Sequence, residues 1–285
     1  MLSNDELIDK RLGTFIVEAL LNVSTNGRMY RGRDVSRDRL AVLKVIEPEV
    51  EASVRPEEYR THVQLQARSI AHVRHPRLVQ VYQSAWVGDL FYMAMSYVEG
   101  PTLREVLNKK LATDRTLTPQ EVMSWLIQLA PALDYMHQTG IFHRNIKPNN
   151  IILSRRGPVL SDYGLIIRAT VATTSNPFGS VHYTAPEQSL AADKVVPQSD
   201  QYALAITVYE CLTGRPPFTA RRPMEVALKH LNQAPPPPSE FNPSLSAEVD
   251  AVLLRALSKE PQARYRTIGE FTSALQVALG LKQAR

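Results

Sequence analysis

The first hundred residues carry the apolar pattern of β-strands, with one helical stripe among them. The run from Leu40 to Ile46 is apolar on both faces apart from Lys44, which predicts a strand buried within a sheet. A second set of inward-facing positions recurs at spacings of three and four and predicts one helix: Tyr59, Val63, Gln66, Ile70 and Val73. From about Phe15 to Met95 we therefore expect a small sheet-rich lobe with one helix.

Two polar residues interrupt these apolar lines and are the first candidates for function. Lys44 lies within the buried strand, and because an unpaired buried ammonium is costly, we expect it to reach a cleft or a partner. Gln66 lies on the inward-facing line of the helix. It is either a hydrogen-bonded core amide or an altered site residue, and the pattern alone leaves both interpretations open.

After Gly100 the pattern becomes helical, and several helix starts are marked. Some begin with threonine and carry glutamate three residues later, which predicts capping boxes: Thr102–Glu105, Thr118–Glu121 and Thr267–Glu270. The second start also has Pro119 at the first helical position, and its helix carries a long apolar stripe: Val122, Trp125, Leu126, Leu129, Leu133 and Met136. We therefore expect a larger helical lobe, joined to the first near residues 96–100.

Composition narrows the class of protein. The chain has 285 residues, of which 44% are hydrophobic and 21% are charged, as in soluble globular proteins. It has no apolar run of membrane-spanning length, no secretory signal at its start, and a single cysteine, Cys211, which excludes an internal disulfide. The net charge of +5 comes from scattered basic residues, which favours a solvated surface over nucleic-acid binding. We expect a cytoplasmic protein with no membrane span in this chain.

Short motifs then follow one another along nearly the whole chain. They read AVLK at 41–44, HRNIKPNN at 143–150, SDYG at 161–164, APE at 185–187, and KEP at 259–261 followed by RYR at 264–266. Together they resemble the motifs of the protein kinase superfamily, in the manner of bacterial Ser/Thr kinases of eukaryotic type. The resemblance implies an α+β fold with a small antiparallel-sheet lobe carrying one helix and a larger, mainly helical lobe. We expect one kinase-like domain over residues 1–285, with lobes at 12–97 and 98–280.

The resemblance also implies a site for ATP and magnesium. Lys44 would contact the α- and β-phosphates, and Lys147 would neutralise the transferring phosphoryl group. Asp162 and Asn150 would supply oxygen ligands for magnesium. The other expected nucleotide contacts are Gly27, Val42, the gatekeeper Met95, and the backbone of Ser96 and Val98.

Other parts of the resembled site are altered. Asn145 stands where the family has the aspartate that accepts the substrate hydroxyl proton, and an amide is not a base near neutral pH. Gln66 stands where the family has the glutamate that pairs with Lys44, and Asn22 and Ser24 replace glycines of the phosphate-binding loop that ends at Gly27. Because these are independent losses, they favour natural degeneration over one engineered change. We expect the binding of ATP and magnesium to be weakened.

The remaining motif residues are expected to hold the fold or to regulate it. The resemblance assigns His143 a packed structural role, Asp200 the anchoring of the catalytic-loop backbone, and Glu187 with Arg264 a buried ion pair. Arg144 would receive an activating phosphate, and the candidate phosphorylation sites are Thr170, Thr173, Thr174 and Ser175. Ordinary polar residues of a loop explain those four positions equally well.

These expectations lead to one functional hypothesis and two alternatives. The first is a pseudokinase that regulates or scaffolds a protein partner, such as an active kinase or its substrate, and that still binds ATP. The second is a slow but active Ser/Thr protein kinase that transfers the γ-phosphate of ATP to proteins. The third is an interaction module that binds no nucleotide.

Overall fold

The computed structural model describes residues 6–24, 27–47, 56–165, 181–190 and 194–281. These residues form two compact units. The N-terminal unit contains the described residues up to Val98 together with Leu165, and the C-terminal unit contains the others, beginning at Glu99. No helix of the described residues is long and apolar enough to cross a membrane.

The N-terminal unit is built on one antiparallel sheet. Its strands, in chain order, are β1 Arg11–Leu12, β2 Phe15–Ser24, β3 Gly27–Asp34, β4 Arg39–Ile46, β5 Val81–Val87 and β6 Leu90–Ser96. They lie in the order β1-β2-β3-β4-β6-β5, and helix α1, Pro56–His72, packs against β5. The predicted sheet-rich lobe with one helix is therefore present.

Strand β4 shows why its sequence is apolar on both faces. It lies inside the sheet between β3 and β6, so neither of its edges is open. Ala41, Leu43 and Val45 belong to the main core cluster of this unit, while Lys44 and Ile46 on the opposite face are also buried. A strand covered on both faces loses the alternation that a half-exposed strand would show.

The C-terminal unit is mainly helical. Its helices are α2 Leu103–Leu111, α3 Pro119–Gln138, α4 Pro186–Leu190, α5 Pro197–Thr213, α6 Pro223–Asn232, α7 Ala247–Ala256 and α8 Ile268–Ala278. A hairpin of β7 Ile151–Ser154 and β8 Gly157–Leu160 follows a short 3-10 helix at Pro148–Asn150. Helix α5 is buried from Ser199 to Thr213, Cys211 included, and α3 packs against both α5 and α8. The predicted stripe of α3 is fully buried.

The predicted capping boxes form at two of the three helix starts. Thr102 and Thr118 each accept a hydrogen bond from the backbone of the glutamate three residues later, whose carboxylate returns to the threonine N–H. At α8, the Thr267 side chain accepts from the Glu270 N–H, but the Glu270 carboxylate accepts from the Arg266 N–H instead. The third box therefore remains half-formed.

A residue from another helix completes that third start. The Asp134 carboxylate on α3 accepts from the N–H groups of Ile268 and Gly269 at 2.8 and 2.9 Å. These are donors that a helix cannot satisfy by itself, and an anion is favoured at this end of the helix dipole. Asp134 therefore ties α8 to α3.

Candidate functional site

Four of the candidate nucleotide residues of the N-terminal unit lie on β4 and β6, namely Val42, Lys44, Met95 and Ser96. Lys44 is 2% exposed and lies in register with Met29 of β3 and Met93 of β6. Met95 is equally buried and lies opposite Val42. Lys44 is therefore buried within the sheet, and a buried ammonium needs a charged or hydrogen-bonding partner.

Ser96 is the last residue of β6, and its backbone N–H is hydrogen-bonded within the protein. Its N–H donates to the Gln80 carbonyl at 2.9 Å, and its hydroxyl accepts from the Gln80 N–H at 3.0 Å. A nucleotide at this edge would therefore have to meet the Ser96 carbonyl. Val98, the other expected backbone contact, is partly buried at the end of the unit.

The segment that aligns with the family's phosphate-binding loop lies at the adjoining ends of β2 and β3. Strands β2 and β3 stay paired as far as Ser24 and Gly27, with a register irregularity before Asn22. Gly27 has a φ of +114°, and a Cβ there would lie 2.4 Å from the carbonyl oxygen of Val45. The close approach to β4 therefore requires glycine at position 27 irrespective of any phosphate.

Gln66 lies on α1 and is partly buried. Its amide nitrogen lies 2.5 Å from Nε2 of His62, one helical turn earlier. Because an amide nitrogen only donates, the imidazole nitrogen is the acceptor. Gln66 thus makes a neutral contact along its own helix, and it supplies no negative charge for a lysine.

The central feature of the C-terminal unit is the contact between Asn145 and Asp162. Nδ2 of Asn145 donates to the backbone oxygen of Asp162 at 3.0 Å and to its carboxylate Oδ2 at 2.8 Å. The amide cannot be reversed without placing its own oxygen against these two oxygens. Nδ2 of Asn150 in turn donates to the Asn145 carbonyl at 2.7 Å, and both asparagines are buried. The residue in the base position therefore presents donors to an anion.

Asp200 on α5 fixes the backbone of this loop. Its carboxylate accepts from the N–H groups of His143 and Arg144 at 2.7 and 2.8 Å, and it lies 2.8 Å from Nε2 of His137. Burial acts to raise the pKa of Asp200, but the hydrogen bonds from His137 and from the His143 N–H outweigh burial and lower it. The carboxylate is therefore held as an anion.

His137 was not identified from the sequence. It lies in the last turn of α3, and its contact with Asp200 spans 63 residues of the chain. Only the packing of α3 against α5 brings the two residues together, so no local pattern could have revealed it.

Backbone geometry at this site is unusual at two residues. Arg144 and Asp162 have φ values of +64° and +59°, in the left-handed region that L-residues rarely adopt. The Arg144 N–H is held by Asp200, and the Asp162 carbonyl by the Asn145 amide. Such conformations persist where surrounding contacts over-determine them.

His143 is buried and packs against Tyr163, with ring centroids 5.1 Å apart and the rings tilted by 41°. Its carbonyl accepts from the Gly164 N–H at 2.9 Å, and a Cβ on Gly164 would lie 3.0 Å from Cβ of Arg144. The segments 143–150 and 161–164 are thus in direct contact through His143.

Burial lowers the pKa of Arg144, while the nearby Asp200 acts in the opposite direction. The candidate phosphorylation sites, Thr170, Thr173, Thr174 and Ser175, lie outside the described residues.

Glu187 and Arg264 form a bidentate ion pair with N–O distances of 2.8 and 2.9 Å. The remaining donors of Arg264 bind backbone carbonyls of Ser258, Gln198 and Lys259, so all five guanidinium N–H groups are used. Burial opposes ionisation of Glu187, but the hydrogen bonds from Arg264 outweigh it and lower the pKa of the carboxylate.

A second, partly buried ion pair was missed from the sequence. Arg104 on α2 binds both carboxylate oxygens of Glu210 on α5 at 2.8 and 2.9 Å, and the Tyr183 hydroxyl donates to the same carboxylate at 2.5 Å. Arg104 and Glu210 are 106 residues apart in the chain. This cluster joins α2 and α5 to the segment just before α4.

Among the described residues, the possible metal ligands near Asp162 include few negatively charged oxygen atoms. They are the Asp162 carboxylate, whose Oδ2 already accepts from Asn145, and the amide oxygen of Asn150. Among the described residues, no group of three or more histidine, cysteine, aspartate or glutamate side chains could hold a metal ion. Magnesium prefers six oxygens in octahedral geometry, so these residues do not fit an ion that the protein alone would bind.

Comparison with known proteins places the chain in a family. The protein kinase domain model matches residues 20–277. Serine/threonine-protein kinase PknB of Mycobacterium tuberculosis is 34% identical over 267 residues, which cover 90% of this chain and 41% of that protein. Serine/threonine-protein kinase PrkC of Bacillus subtilis is 32% identical over 280 residues, which cover 95% and 42%.

The fold is also similar to solved structures. The kinase domain of Mycobacterium tuberculosis PknI superposes with a TM-score of 0.76 at 28% identity, covering 96% of this chain and 98% of that domain. This similarity confirms the predicted α+β fold with an antiparallel-sheet lobe and a helical lobe. The chain spans about two fifths of the length of the curated relatives PknB and PrkC. By family model and by relatives alike, the chain belongs to the protein kinase family.

Proposed function

We propose that this kinase domain is a pseudokinase, a regulatory or scaffolding module in which phosphotransfer is lost or very slow. The observation that carries the proposal is the pair of hydrogen bonds from the Asn145 amide to Asp162. In an active kinase, the side chain at this position accepts the proton of the substrate hydroxyl. Here the side chain offers donors, and its nitrogen is already engaged.

The expected loss can be stated as a rate. Removal of a general base lowers a rate by roughly 10²–10⁴-fold. Gln66 adds to this loss, because a neutral amide positions a lysine less firmly than a carboxylate does. The paired hairpin that ends at Ser24 and Gly27 weakens phosphate binding further, since it leaves little glycine backbone to wrap around phosphates.

In this proposal ATP still binds, with reduced affinity. Lys44 contacts its phosphates, the edge of β6 at Met95, Ser96 and Val98 meets the adenine, and Val42 and Gly27 line the site. Asp162 and Asn150 share magnesium with the nucleotide phosphates, and Lys147 lies beside the terminal phosphate. The family's normal binding of ATP and magnesium supports these assignments. The regulated partner is a cytoplasmic protein, either an active kinase or its substrate.

A slow but active Ser/Thr kinase is the second candidate. It is favoured by the retention of Lys44, Lys147 and Asp162 and by similarity to proteins named as Ser/Thr kinases. A module that binds no nucleotide is the third, and the pairing of β2 with β3 as far as Ser24 and Gly27 favours it.

A paired assay separates these candidates. Phosphotransfer is measured for the unaltered chain, for Asn145→Asp, and for Lys44→Ala as the control that removes the phosphate contact. Thermal melting is measured with ATP, because a ligand that binds only the folded state raises the melting temperature. We expect an ATP shift with no transfer above the Lys44→Ala background.

Each other outcome selects another candidate. Transfer by the unaltered chain that disappears in Lys44→Ala identifies a slow kinase and refutes the pseudokinase. Absence of any ATP shift leaves only the interaction module. Robust activity in Asn145→Asp would show that the asparagine is the sole lesion.

A further inference from the structure

Helix α6 carries apolar residues on its exposed side as well as on its buried side. The buried side packs against the protein through Val226 and His230. The exposed side carries a second apolar set at spacings of three and four, which we call the outer stripe: Met224, Ala227, Leu228 and Leu231. Met224 is 41% and Leu228 49% exposed, and the other two residues are partly buried. Because a surface helix normally has one apolar side, the outer stripe has the pattern of a contact surface.

Hydrogen bonds from lysine side chains hold α6 at both ends. Nζ of Lys229 donates to the Thr219 carbonyl at 2.8 Å, in the loop before the helix. At the other end, Nζ of Lys259 donates to the carbonyls of Lys229 and His230 at 3.3 and 2.7 Å. The last carbonyls of a helix need donors of this kind from outside it. The outer stripe therefore lies on a preformed surface, which a partner can bind without the cost of ordering it.

The surface around the outer stripe is positively charged. Residues 215–229 contain four basic residues and one acidic residue: Arg215, Arg221, Arg222, Lys229 and Glu225. Arg221 and Arg222 are exposed, and Nε of Arg222 lies 3.6 Å from a carboxylate oxygen of Glu225, so the negative charge in this segment is already paired. An apolar stripe bordered by positive charge favours an apolar partner segment that carries acidic residues.

The same charge argues against a second copy of this chain as the occupant. Two α6 surfaces that faced each other would bring their arginines together, and like charges across an interface are unfavourable. Helix α3 provides a contrast, since it exposes Ile127 by 43% and Tyr135 by 37%. The exposed residues of α3 from Ser124 to Tyr135 carry no charge, so that side of α3 offers no charge by which to select a partner.

We propose that the outer stripe of α6, together with Arg221 and Arg222, docks an amphipathic helix of a partner protein that has acidic residues beside its apolar side. A stripe at these spacings packs against a matching stripe on another helix. From Met224 to Leu231 the stripe is about 10 Å long, the length of about two helical turns. The proposal rests on the proposed function only in that a partner protein exists, because α6 contains none of the residues assigned to nucleotide binding or phosphotransfer.

The probe is a fluorescein-labelled peptide of about 16 residues, with leucine at spacings of three and four and glutamate at most other positions. One comparison peptide has lysine in place of glutamate, and another has the residues of the glutamate peptide in scrambled order. Binding to the chain is measured by fluorescence anisotropy without nucleotide, so that the result does not depend on whether ATP binds.

Variants locate the contact on the protein. Leu228→Glu places a negative charge in the outer stripe, and Arg221→Glu with Arg222→Glu reverses the charge of its border. Matched controls make the same changes at exposed residues elsewhere: Ile127→Glu on α3, and Arg155→Glu with Arg156→Glu at the turn between β7 and β8. The melting temperature of each variant shows that it is folded. The double arginine variant changes only exposed residues, so it decides the question even if Leu228→Glu fails to fold.

We expect saturable binding of the glutamate peptide to the unaltered chain, and binding of the lysine and scrambled peptides that is weaker by about tenfold or more. Leu228→Glu and the double arginine variant should each weaken binding of the glutamate peptide by about tenfold or more, whereas both controls should stay within about twofold. NaCl at about 0.5 M should weaken binding to the unaltered chain, with a smaller effect in the double arginine variant, because salt screens the exposed charges.

Several results would overturn the proposal. Absence of saturable binding, or equal binding of the glutamate and lysine peptides, would show that the surface does not select an acidic helix. A loss in Ile127→Glu as large as that in Leu228→Glu would show that the contact is not specific to α6. Self-association of the unaltered chain that Leu228→Glu abolishes would show that a second copy occupies the stripe.

Failure of this proposal is distinguishable from failure of the proposed function. An ATP shift without phosphotransfer and without peptide binding would leave the pseudokinase standing and remove the docking surface. Peptide binding by a chain that transfers phosphate would refute the pseudokinase and keep the docking surface.

Discussion

Replacement of Asp200 by asparagine tests the anchor of the catalytic loop. The change keeps the shape of the side chain, but it removes the charge and turns one acceptor oxygen into a donor NH₂ group. Asp200 is 1% exposed, and its Oδ2 accepts from the His143 N–H at 2.7 Å and lies 2.8 Å from His137 Nε2. In Asp200→Asn, the new NH₂ group replaces either Oδ1 or Oδ2. At either position it faces a backbone N–H that donates to the carboxylate in the unaltered chain.

The size of the effect follows from these contacts. A hydrogen bond to a charged group contributes about 1.5–3 kcal/mol; Asp200→Asn breaks at least one of the three and removes the charge from the others, so we expect the free energy of unfolding to fall by about 2–4 kcal/mol. This is a large part of the roughly 5–15 kcal/mol of a typical domain. The left-handed backbone of Arg144 also loses a charged partner, which adds to the cost.

The effect should depend on pH in a defined direction. The pKa of Asp200 in the folded protein is lowered from its ordinary value of 3.8, so its contribution is present above that value and is lost as the pH falls through the folded pKa. The difference in stability between the unaltered chain and Asp200→Asn should therefore be constant near neutral pH and shrink below about pH 4.

The assay combines urea unfolding with hydrogen exchange of the loop amides. We expect the N–H groups of His143 and Arg144 to exchange roughly a hundredfold faster in Asp200→Asn. Asp114→Asn, which makes the same change at an exposed residue, should match the unaltered chain. Unchanged exchange at His143 and Arg144, or a stability loss no larger than in Asp114→Asn, would refute the anchoring role.

Other changes test the packing around the site. Arg264→Ala leaves the Glu187 carboxylate buried without its cation, so urea unfolding should show a loss of about 3–5 kcal/mol, and a loss below 1 kcal/mol would contradict the ion-pair argument. Burial lowers the pKa of His230 to about 3 from 6.5, so the unfolded chain takes up its proton first and stability falls as the pH drops. Between pH 7 and pH 5 this costs about 2 kcal/mol, and the stability of His230→Asn should depend less on pH over that range. Gly27→Ala places a Cβ 2.4 Å from a backbone oxygen of β4 and should cost about 3 kcal/mol or more, measured by thermal melting. Its control, Gly88→Ala, also changes a glycine of positive φ, +58°, but one with open space around it, so it should cost only about 1–2 kcal/mol; equal costs would show that the contact with β4 is unimportant.

Local patterns in the sequence were sufficient to predict several helices and strands and much of the buried core. The doubly apolar run at 40–46 predicted a strand inside a sheet, and the stripe of α3 predicted a helix face that is fully buried. The capping boxes at Thr102 and Thr118 were readable because both partners lie within one turn. The box at Thr267 was only half right, because Asp134 from a distant helix binds the donors there.

Chemical identity was also readable from the sequence. An amide at position 145 cannot be a general base in any fold, so the residue type alone predicts impaired catalysis. The pairing of Glu187 with Arg264, 77 residues apart, was predicted from family resemblance and not from a local pattern. The motifs therefore carried information about distant contacts that periodicity does not hold.

Tertiary structure alone decided where the donors and acceptors of these residues point. The sequence established that Asn145 is not a base, whereas only the fold shows its amide bound to Asp162. The contact of His137 with Asp200 and the pair of Arg104 with Glu210 join residues 63 and 106 positions apart. Hydrogen bonds act over about 3 Å and require alignment, so they depend on how helices pack and leave no periodic trace in the chain.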